Sequence, residues 1–242
     1  MKSVKYIRII SGVFLLLVSL NLAISQEMEQ SFQSPYPSGS FWRMEGSLLV
    51  GIGLEDHEVG MTTDNKKITI SGGGGIGGIF SIGYCITPRF DLSLGFGIQN
   101  SSLEPEVKNA EGSFLRTSYF TTIKYIIPVS SAGYLKIGAG AGYYSAGDLD
   151  VDLSEVAGGA HNVYKYDGAP GFHITADYEG VFTEKFTWII GLKYYNVTFD
   201  LKSAKSNDVS IPLSIIPADI ISDIGELDGS GVDFIIALNL YL

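Results

Sequence analysis

The chain has little charge, a single cysteine and no long hydrophobic run after its N-terminal segment. Charged residues make up 17% of the 242 positions, and Cys85 is the one cysteine. A lone cysteine cannot form an internal disulfide, so this is not a disulfide-stapled secreted domain. Beyond the N-terminus, no window holds the roughly 18 or more apolar residues that a membrane-spanning helix needs. A disulfide scaffold and a helical membrane protein are therefore both excluded.

Basic residues are scarce as well. The chain has 16 Lys and Arg against 26 Asp and Glu, and after residue 25 only 13 of the basic residues remain. Nucleic acids and anionic phosphates are bound by basic patches. We therefore expect no nucleic-acid partner.

Residues 1–25 have the pattern of a secretory signal peptide. Lys2, Lys5 and Arg8 precede the apolar stretch Ile9 to Leu22, and Ala23-Ile24-Ser25 forms a small-x-small cleavage site. The alternative is a permanent N-terminal anchor, against which the short apolar stretch argues. Residues 26–40 are polar with two prolines and are predicted to form a flexible lead-in.

From Phe41 onward, alternating runs of about ten residues are separated by connections that are short and long in turn. The final run, Gly231 to Leu242, is the clearest, with one wholly apolar face and one mixed face. The predicted strands are 41–54, 71–86, 90–99, 115–127, 134–145, 171–182, 186–199 and 231–242. This pattern predicts an all-β fold over 41–242, an eight-stranded antiparallel up-and-down transmembrane β-barrel. Its N- and C-termini are expected at the short-turn, periplasmic end.

A soluble lipocalin-like barrel would also have eight alternating strands, but with the apolar face turned inward. Here the mixed face carries the small residues, and an eight-stranded lumen is only just wide enough for side chains to fill it. The small residues must therefore face inward and the bulky apolar ones face lipid. These small residues are Gly73, Gly75, Gly77, Ser81, Gly83, Ser93, Gly95, Gly97, Gly138, Gly140 and Gly142.

Aromatic residues mark the strand ends on the apolar face. Rings with one wet edge favour a membrane interface, where outer-membrane barrels carry aromatic girdles. The predicted girdle at the short-turn end is Trp42, Tyr84, Phe90, Tyr125, Phe182, Phe186 and Trp188. Tyr119, Tyr143, Phe172 and Tyr194 are predicted to mark the other interface.

The predicted lumen carries five basic and five acidic residues, including Arg116 and Asp233. An unpaired charge in a narrow interior is costly, so we expect these groups to pair and to close the barrel. The predicted lumen ion-pair cluster is Arg43, Glu45, Asp91, Lys124, Lys136, Asp177, Glu179 and Lys193.

Two groupings suggest chemistry only faintly. His173, Thr175, Asp177 and Glu179 alternate along one strand face, where residues rarely reach the mutual contact that nucleophilic catalysis needs. Asp148, Asp150 and Asp152 share one face, but the glycine and spacing of a calcium loop are absent, which favours a solvated acidic rim. We therefore expect no catalytic residues, no metal and no cofactor.

The last long connection, 200–230, is rich in isoleucine and leucine. Pro217 and the apolar residues after it predict a short amphipathic helix. Alternatively, Val209 to Ile216 forms a strand that extends a hairpin. The run Gly72–Gly75 suits a bulge or a close approach of backbones.

The eight-run pattern, the aromatic girdles and the C-terminal strand resemble the small outer-membrane β-barrel proteins of the OmpA-transmembrane, OmpX and OmpW kind. The resemblance covers Phe41 to Leu242. It implies insertion among outer-membrane lipid and lipopolysaccharide, by a BAM-type assembly machinery that reads the C-terminal strand. Such proteins commonly end in an aromatic residue, whereas this chain ends Tyr241-Leu242.

We expect a non-enzymatic, structural or surface-binding role. The long loops hold 18 of the 26 acidic residues and would face an extracellular ligand whose identity the sequence does not give. The alternative is a narrow pore or an OmpW-like conduit for small apolar molecules. A lipid-modifying enzyme is the third hypothesis.

Overall fold

The computed structural model describes residues 41–61, 67–104, 111–130, 133–154, 160–183, 185–215 and 224–242. The predicted signal peptide (1–25) and lead-in (26–40) lie outside these residues, as does 216–223 of the predicted helix. Within the described part of the chain, no helix is long and apolar enough to cross a membrane, a finding that does not bear on crossing by strands.

The described residues form fourteen strands and one short 3-10 helix, Leu213–Ile215. In chain order the strands are β1 (Phe41–Gly53), β2 (His57–Met61), β3 (Lys67–Ile70), β4 (Gly75–Thr87), β5 (Phe90–Ser102), β6 (Glu111–Ser130), β7 (Gly133–Asp152), β8 (His161–Tyr166), β9 (Ala169–Val181), β10 (Phe186–Asn196), β11 (Thr198–Ser206), β12 (Val209–Ile211), β13 (Glu226–Asp228) and β14 (Gly231–Tyr241).

Eight of these strands close into a barrel in the order β1-β4-β5-β6-β7-β9-β10-β14, each antiparallel to its neighbours. The last strand completes the ring by pairing with the first, from Arg43↔Tyr241 to Gly53↔Gly231. The predicted eight-stranded antiparallel barrel is confirmed.

The wall continues past the strand ends that the sequence predicts. β6 and β7 have 20 residues each, where the patterns predict 115–127 and 134–145. Beyond the start of β9, the partner of β7 becomes β8, which in turn pairs with β11. The segments predicted as long loops, 55–70, 100–114, 146–170 and 200–230, are therefore in large part β-sheet. We call the described strands within these four segments the barrel extension.

The hairpin β11–β12 confirms the strand alternative for Val209–Ile211. The predicted continuation of that strand is wrong, because Leu213–Ile215 forms the 3-10 helix. The two turn residues of the hairpin, Asn207 and Asp208, both have positive φ, 48° and 64°. Asn and Asp tolerate this left-handed conformation better than other non-glycine residues, which is why they suit a two-residue hairpin turn.

The inside of the barrel extension is apolar. Twelve buried side chains pack there, drawn from nearly every strand that forms the extension. They are Ile68, Ile70, Leu103, Phe114, Tyr144, Leu149, Val151, Tyr166, Tyr195, Val197, Phe199 and Leu227.

The outside of the barrel is also apolar. Leu48 is 75% exposed, and Ile236 and Leu238 on the neighbouring strand β14 are exposed as well. Burial alternates strictly along β1, with the charged Arg43 and Glu45 inside. Bulky apolar side chains face out and polar ones face in, which is the reverse of a lipocalin-like barrel.

Candidate functional site: the closed lumen

All eight residues of the predicted cluster lie inside the barrel, and none is more than 7% exposed. Arg43 lies at the centre of the ion pairs nearest the short-turn end, which we call the lower ion pairs. Its Nε donates to Asp91 Oδ2 at 2.6 Å, and its Nη1 donates to Glu45 Oε2 at 2.7 Å. One guanidinium thus joins β1 to β5 across the intervening strand β4.

Lys136 joins the next two carboxylates. Its Nζ lies 3.6 Å from Asp91 Oδ2 and forms an ion pair with Glu179. Asp91 is therefore shared between Arg43 and Lys136. Lys124 forms a separate pair with Asp177, with Nζ and Oδ2 2.7 Å apart.

Uncharged side chains complete this layer, and the sequence analysis did not single them out. Glu179 accepts hydrogen bonds from the Thr187 and Tyr241 hydroxyls, both at 2.5 Å, and from Asn239 Nδ2 at 3.1 Å. Asn239 and Tyr241 share the inward face of β14 with Asp233, so the alternation itself was the signal that could have found them. The sequence showed their direction and not their partners.

An apolar layer closes the lumen below the ion pairs, at the short-turn end. Its buried members come from both chain-terminal strands and from three others. They are Phe41, Cys85, Ile126, Tyr134 and Tyr241, with Val181 packed against them. Lower ion pairs are thus separated from the short-turn end by packed side chains.

Glycines make room for the charged layer. A Cβ at Gly83 would stand 2.6 Å from Arg43 Nε, and one at Gly191 would collide with the Asp177 carboxylate. Small residues on the inward face, as predicted from the volume of an eight-stranded lumen, are required where long side chains cross it.

A second closure lies at the other end of the barrel, where Arg116 reaches across the lumen. Its Nη1 donates to the Gly229 carbonyl at 2.7 Å, and its Nη2 donates to Gln99 Oε1. The guanidinium also lies over the Tyr195 ring, 4.3 Å from the centroid. The Arg116 side chain thus closes the lumen where the barrel meets the extension.

Beside Arg116, the segment Gly72–Gly75, which we call the glycine strap, folds into the mouth of the barrel. Tyr195 donates from its hydroxyl to the Gly73 carbonyl, and Ser101 Oγ donates to the Gly74 carbonyl at 2.7 Å. A Cβ at Gly73 would collide with the Ser230 carbonyl, so the strap requires glycine there.

The predicted close backbone approach of this run is confirmed, but its predicted place in a strand from 71 is wrong. β4 begins at Gly75, whose φ of 104° turns the chain out of the mouth and into the wall. Only glycine adopts that φ readily.

Between the two closures the lumen retains a cavity of about 30 Å³. It is lined by Ser81, Ser93, Thr122, Lys124, Thr175, Asp177 and Lys193 together with Glu45 and four apolar residues. A smaller space of about 10 Å³ lies on the Arg116 side, and Lys193 lines both. Such volumes hold about one or two water molecules and do not form a continuous channel.

The seven predicted girdle residues lie on the outside at the short-turn end, where most of them pack in pairs. Ring centroids are 4.9 Å apart for Trp42 and Tyr84, and 5.3 Å apart for Phe90 and Tyr125. Phe182 lies 6.5 Å from Trp188, and Phe186 is half exposed.

Comparison with solved structures gives the class of this barrel. The outer membrane protein OprG from Pseudomonas aeruginosa has a TM-score of 0.61 at 9% sequence identity, covering 87% of this chain and 99% of that chain. The fold is that of the small outer-membrane β-barrels.

Two further structures are similar over most of their length. Neisserial surface protein A (NspA) shares 12% identity with a TM-score of 0.46, covering 84% of this chain and 97% of that one. The outer membrane protein AlkL in lipid bilayers shares 13% identity with a TM-score of 0.46, covering 88% and 94%. No protein-family model and no curated protein sequence matches the chain.

In this outer-membrane barrel fold, three of the four residues that faintly suggested catalysis have separate partners. His173 Nε2 lies 2.8 Å from Thr122 Oγ1, while Asp177 pairs with Lys124 and Glu179 with Lys136. Among the described residues, no group of three or more His, Cys, Asp or Glu side chains is placed to hold a metal ion.

The acidic rim of the barrel extension is in part ion-paired. Asp148 Oδ2 lies 2.8 Å from Lys165 Nζ, and Asp150 Oδ1 lies 2.8 Å from His161 Nε2, both across β7 and β8. The hydrogen bond to Asp150 raises the pKa of His161 above its usual value. Two of the three carboxylates predicted for this face, Asp148 and Asp150, thus have a basic partner. Elsewhere on the extension, Asp167 pairs with Lys202.

Proposed function

We propose that the protein is a non-conducting integral barrel of the bacterial outer membrane, with a structural or surface-binding role at its extension. The observation that carries the proposal is the doubly closed lumen. Arg43, Lys136 and Lys124 tie the lower walls together, and Arg116 with the glycine strap closes the other end.

The energetics favour a lumen that stays shut. Removing one partner of a buried ion pair costs about 3–5 kcal/mol. The cost arises because the remaining charge stays buried without a counter-charge, so a partial opening that separates these pairs without hydrating them is disfavoured. An open path requires several such pairs to separate together.

The orientation follows from the same architecture. Outer-membrane barrels have short turns on the periplasmic side and long connections outside. We therefore place both ends of the barrel domain in the periplasm and the extension at the cell surface. The partners of this arrangement are outer-membrane lipid and lipopolysaccharide outside the wall, and a BAM-type machinery that inserts β14.

Labelling of intact cells tests this orientation. Asp208→Cys places a thiol at the β11–β12 turn, and Arg89→Cys places one at the β4–β5 turn; the native Cys85 is buried. A membrane-impermeant maleimide should label the Asp208→Cys protein on intact cells and the Arg89→Cys protein only after lysis. The opposite pattern would reverse the orientation and contradict the proposal.

The second candidate is a conduit for small apolar molecules, and one observation favours it. The interior of the barrel extension is lined by apolar side chains, including Phe114, Leu149 and Phe199. These side chains pack against each other, with the Phe114 and Phe199 centroids 6.0 Å apart, and so fill the space that a guest would need.

Uptake of an apolar fluorescent dye distinguishes the two candidates, because lipopolysaccharide slows the entry of apolar solutes. Cells with the protein in their outer membrane should take up the dye at the same rate as cells without it. Faster uptake that is lost when the extension is deleted would favour the conduit instead.

We also propose that the protein has no enzymatic activity. Lipid A incubated with the purified protein should show no change in mass. A product that disappears with His173→Ala would contradict this.

A further inference from the structure

Lys193 differs from the other cations of the predicted cluster. Its Nζ extends from β10 across the lumen to the face of Phe120 on β6, 3.6 Å from the ring centroid. Within the described part of the chain, no carboxylate lies within 4.0 Å of it, whereas Arg43, Lys124 and Lys136 each have at least one. Lys193 is 3% exposed and lines both interior spaces.

The carboxylates nearest to the cavity have other partners. Asp177 pairs with Lys124, and Glu45 pairs with Arg43. Asp233, opposite Lys193 in the strand register, accepts from Gln99 Nε2 at 3.0 Å. The lumen contains five cations and five anions in all, but none of these carboxylates neutralises Lys193 at contact distance.

A buried ammonium in this position lacks the hydrogen-bond acceptors that water supplied before folding. The aromatic face attracts the charge but accepts no conventional hydrogen bond. Burial of a charge is tolerated only where a counter-charge and hydrogen bonds replace water. Of the two interior spaces that Lys193 lines, the one of about 30 Å³ is the larger and has room for such a group.

A second side chain points to the same cavity. Thr175 lines the cavity, and its hydroxyl is buried and has no hydrogen-bond partner among the described residues. Thr175 stands directly opposite Lys193 in the β9–β10 register. An ammonium and an unpartnered hydroxyl thus face one space from neighbouring strands.

We propose that this cavity binds a single halide-sized anion, held by Lys193 and Thr175. The ammonium donates hydrogen bonds and repels cations, and the threonine hydroxyl can donate as well, which together suit an anion. A cavity of about 30 Å³ holds about two water molecules by volume. It therefore accommodates a chloride or bromide ion and excludes sulfate and phosphate. Because both ends of the lumen are closed, the ion enters when the barrel folds.

The test uses the full-length barrel refolded into detergent in potassium bromide, or in potassium gluconate at equal ionic strength. Crystals from bromide should show an anomalous scattering peak within hydrogen-bond distance of Lys193 Nζ and the Thr175 hydroxyl. The midpoint of thermal unfolding should rise with bromide concentration and not with gluconate, because a ligand that binds only the folded state stabilises it.

Lys193→Met keeps the length of the side chain and removes the charge, so it should abolish the bromide dependence. Thr175→Val, which keeps the shape, should weaken it and serves as the test if Lys193→Met does not fold. The control is Lys202→Met, which changes an exposed lysine of the extension and should leave the bromide dependence intact.

Absence of an anomalous peak, with water alone in the cavity, would overturn the proposal. So would a bromide dependence that persists in both lumen variants. Either result leaves the closed lumen intact, because that is tested separately by the conductance of the wild-type protein.

Discussion

Asp91 shows how far residue-level prediction reaches in this barrel. Alternation along the third predicted strand correctly turns Asp91 inward, where it is fully buried. Its partners, Arg43 and Lys136, lie on strands that are not its neighbours in the ring. Which inward side chains meet across a lumen depends on strand tilt and stagger, which the sequence pattern does not carry.

Lys193 shows the same limit, because the ion pair predicted for it does not form. Charge balance placed it in an ion-pair cluster, but it lies against the Phe120 ring. Asn239 and Tyr241 lie on the mixed face of the last predicted strand, but the pattern assigned them no role. Direction follows from a period of two, whereas contact follows from three-dimensional closure.

The buried pair at Lys136 should be needed for stability. Lys136→Met leaves the carboxylates of Asp91 and Glu179 without this cation, and breaking a buried pair in this way costs about 3–5 kcal/mol. We expect the free energy of unfolding, measured by urea titration in lipid vesicles, to fall by that amount. Lys202→Met is the matched control, because the Lys202–Asp167 pair is exposed and should change little. Equal stability of the two variants would contradict the assigned role of Lys136.

Glycine at position 83 should be required by Arg43. A Cβ at Gly83 meets the guanidinium at 2.6 Å, and overpacking of this kind costs about 1–3 kcal/mol. Gly83→Ala should therefore lower the free energy of unfolding by that amount. Gly46→Ala is the control, since a Cβ there has no neighbour within 4 Å on the lipid-facing side. If Gly46→Ala is the more damaging change, the inward packing around Arg43 is wrong.

At the scale of elements, the eight barrel strands were predicted, whereas the barrel extension was predicted only for the strand at Val209–Ile211. β7 runs on to Asp152, with Leu149 and Val151 buried inside the extension. An irregularity in the β6–β7 register shifts the inward positions from even to odd residues, so the alternation does not run through. The neighbouring aspartates made this part resemble a solvated loop. Their cross-strand partners, Lys165 and His161, lie on β8 in a segment that shows too short an alternation to identify alone.

The β7–β8 pairing should depend on pH through His161. Its hydrogen bond with Asp150 raises the pKa of the imidazole in the folded protein, and Asp152 and Asp208 act in the same direction. A raised folded pKa means that the stabilisation is fully present below the unfolded value of about 6.5 and is lost as pH rises through the folded value.

Amide hydrogen exchange of the β7–β8 ladder, followed in micelles, checks this dependence. The intrinsic rate of amide exchange rises with pH, so the observed rates are first corrected for it. The corrected protection of the β7–β8 amides should decrease as pH rises through the His161 pKa, and Asp150→Asn should remove this decrease. The barrel strand β1, far from His161, is the internal control. Protection that increases over the same range would contradict the sign.

At the scale of the whole molecule, the fold follows from the sequence more directly than its interior does. Alternation recurs in all eight barrel strands, and short and long connections take turns between them, so an error at one strand does not change the architecture. The interior depends on single contacts, such as the glycine strap held by Tyr195 and Ser101. β14 contributes both to the fold and to the interior, because it closes the ring and also supplies Tyr241 to the ion-pair layer.

The conductance of the wild-type barrel tests the closed lumen most directly. In planar lipid bilayers, single-channel recordings of the purified and inserted protein should show no ionic current above the bare membrane. Insertion is verified separately by resistance of the barrel to protease. Discrete current steps from the inserted wild-type protein would show a continuous aqueous path and would contradict the account.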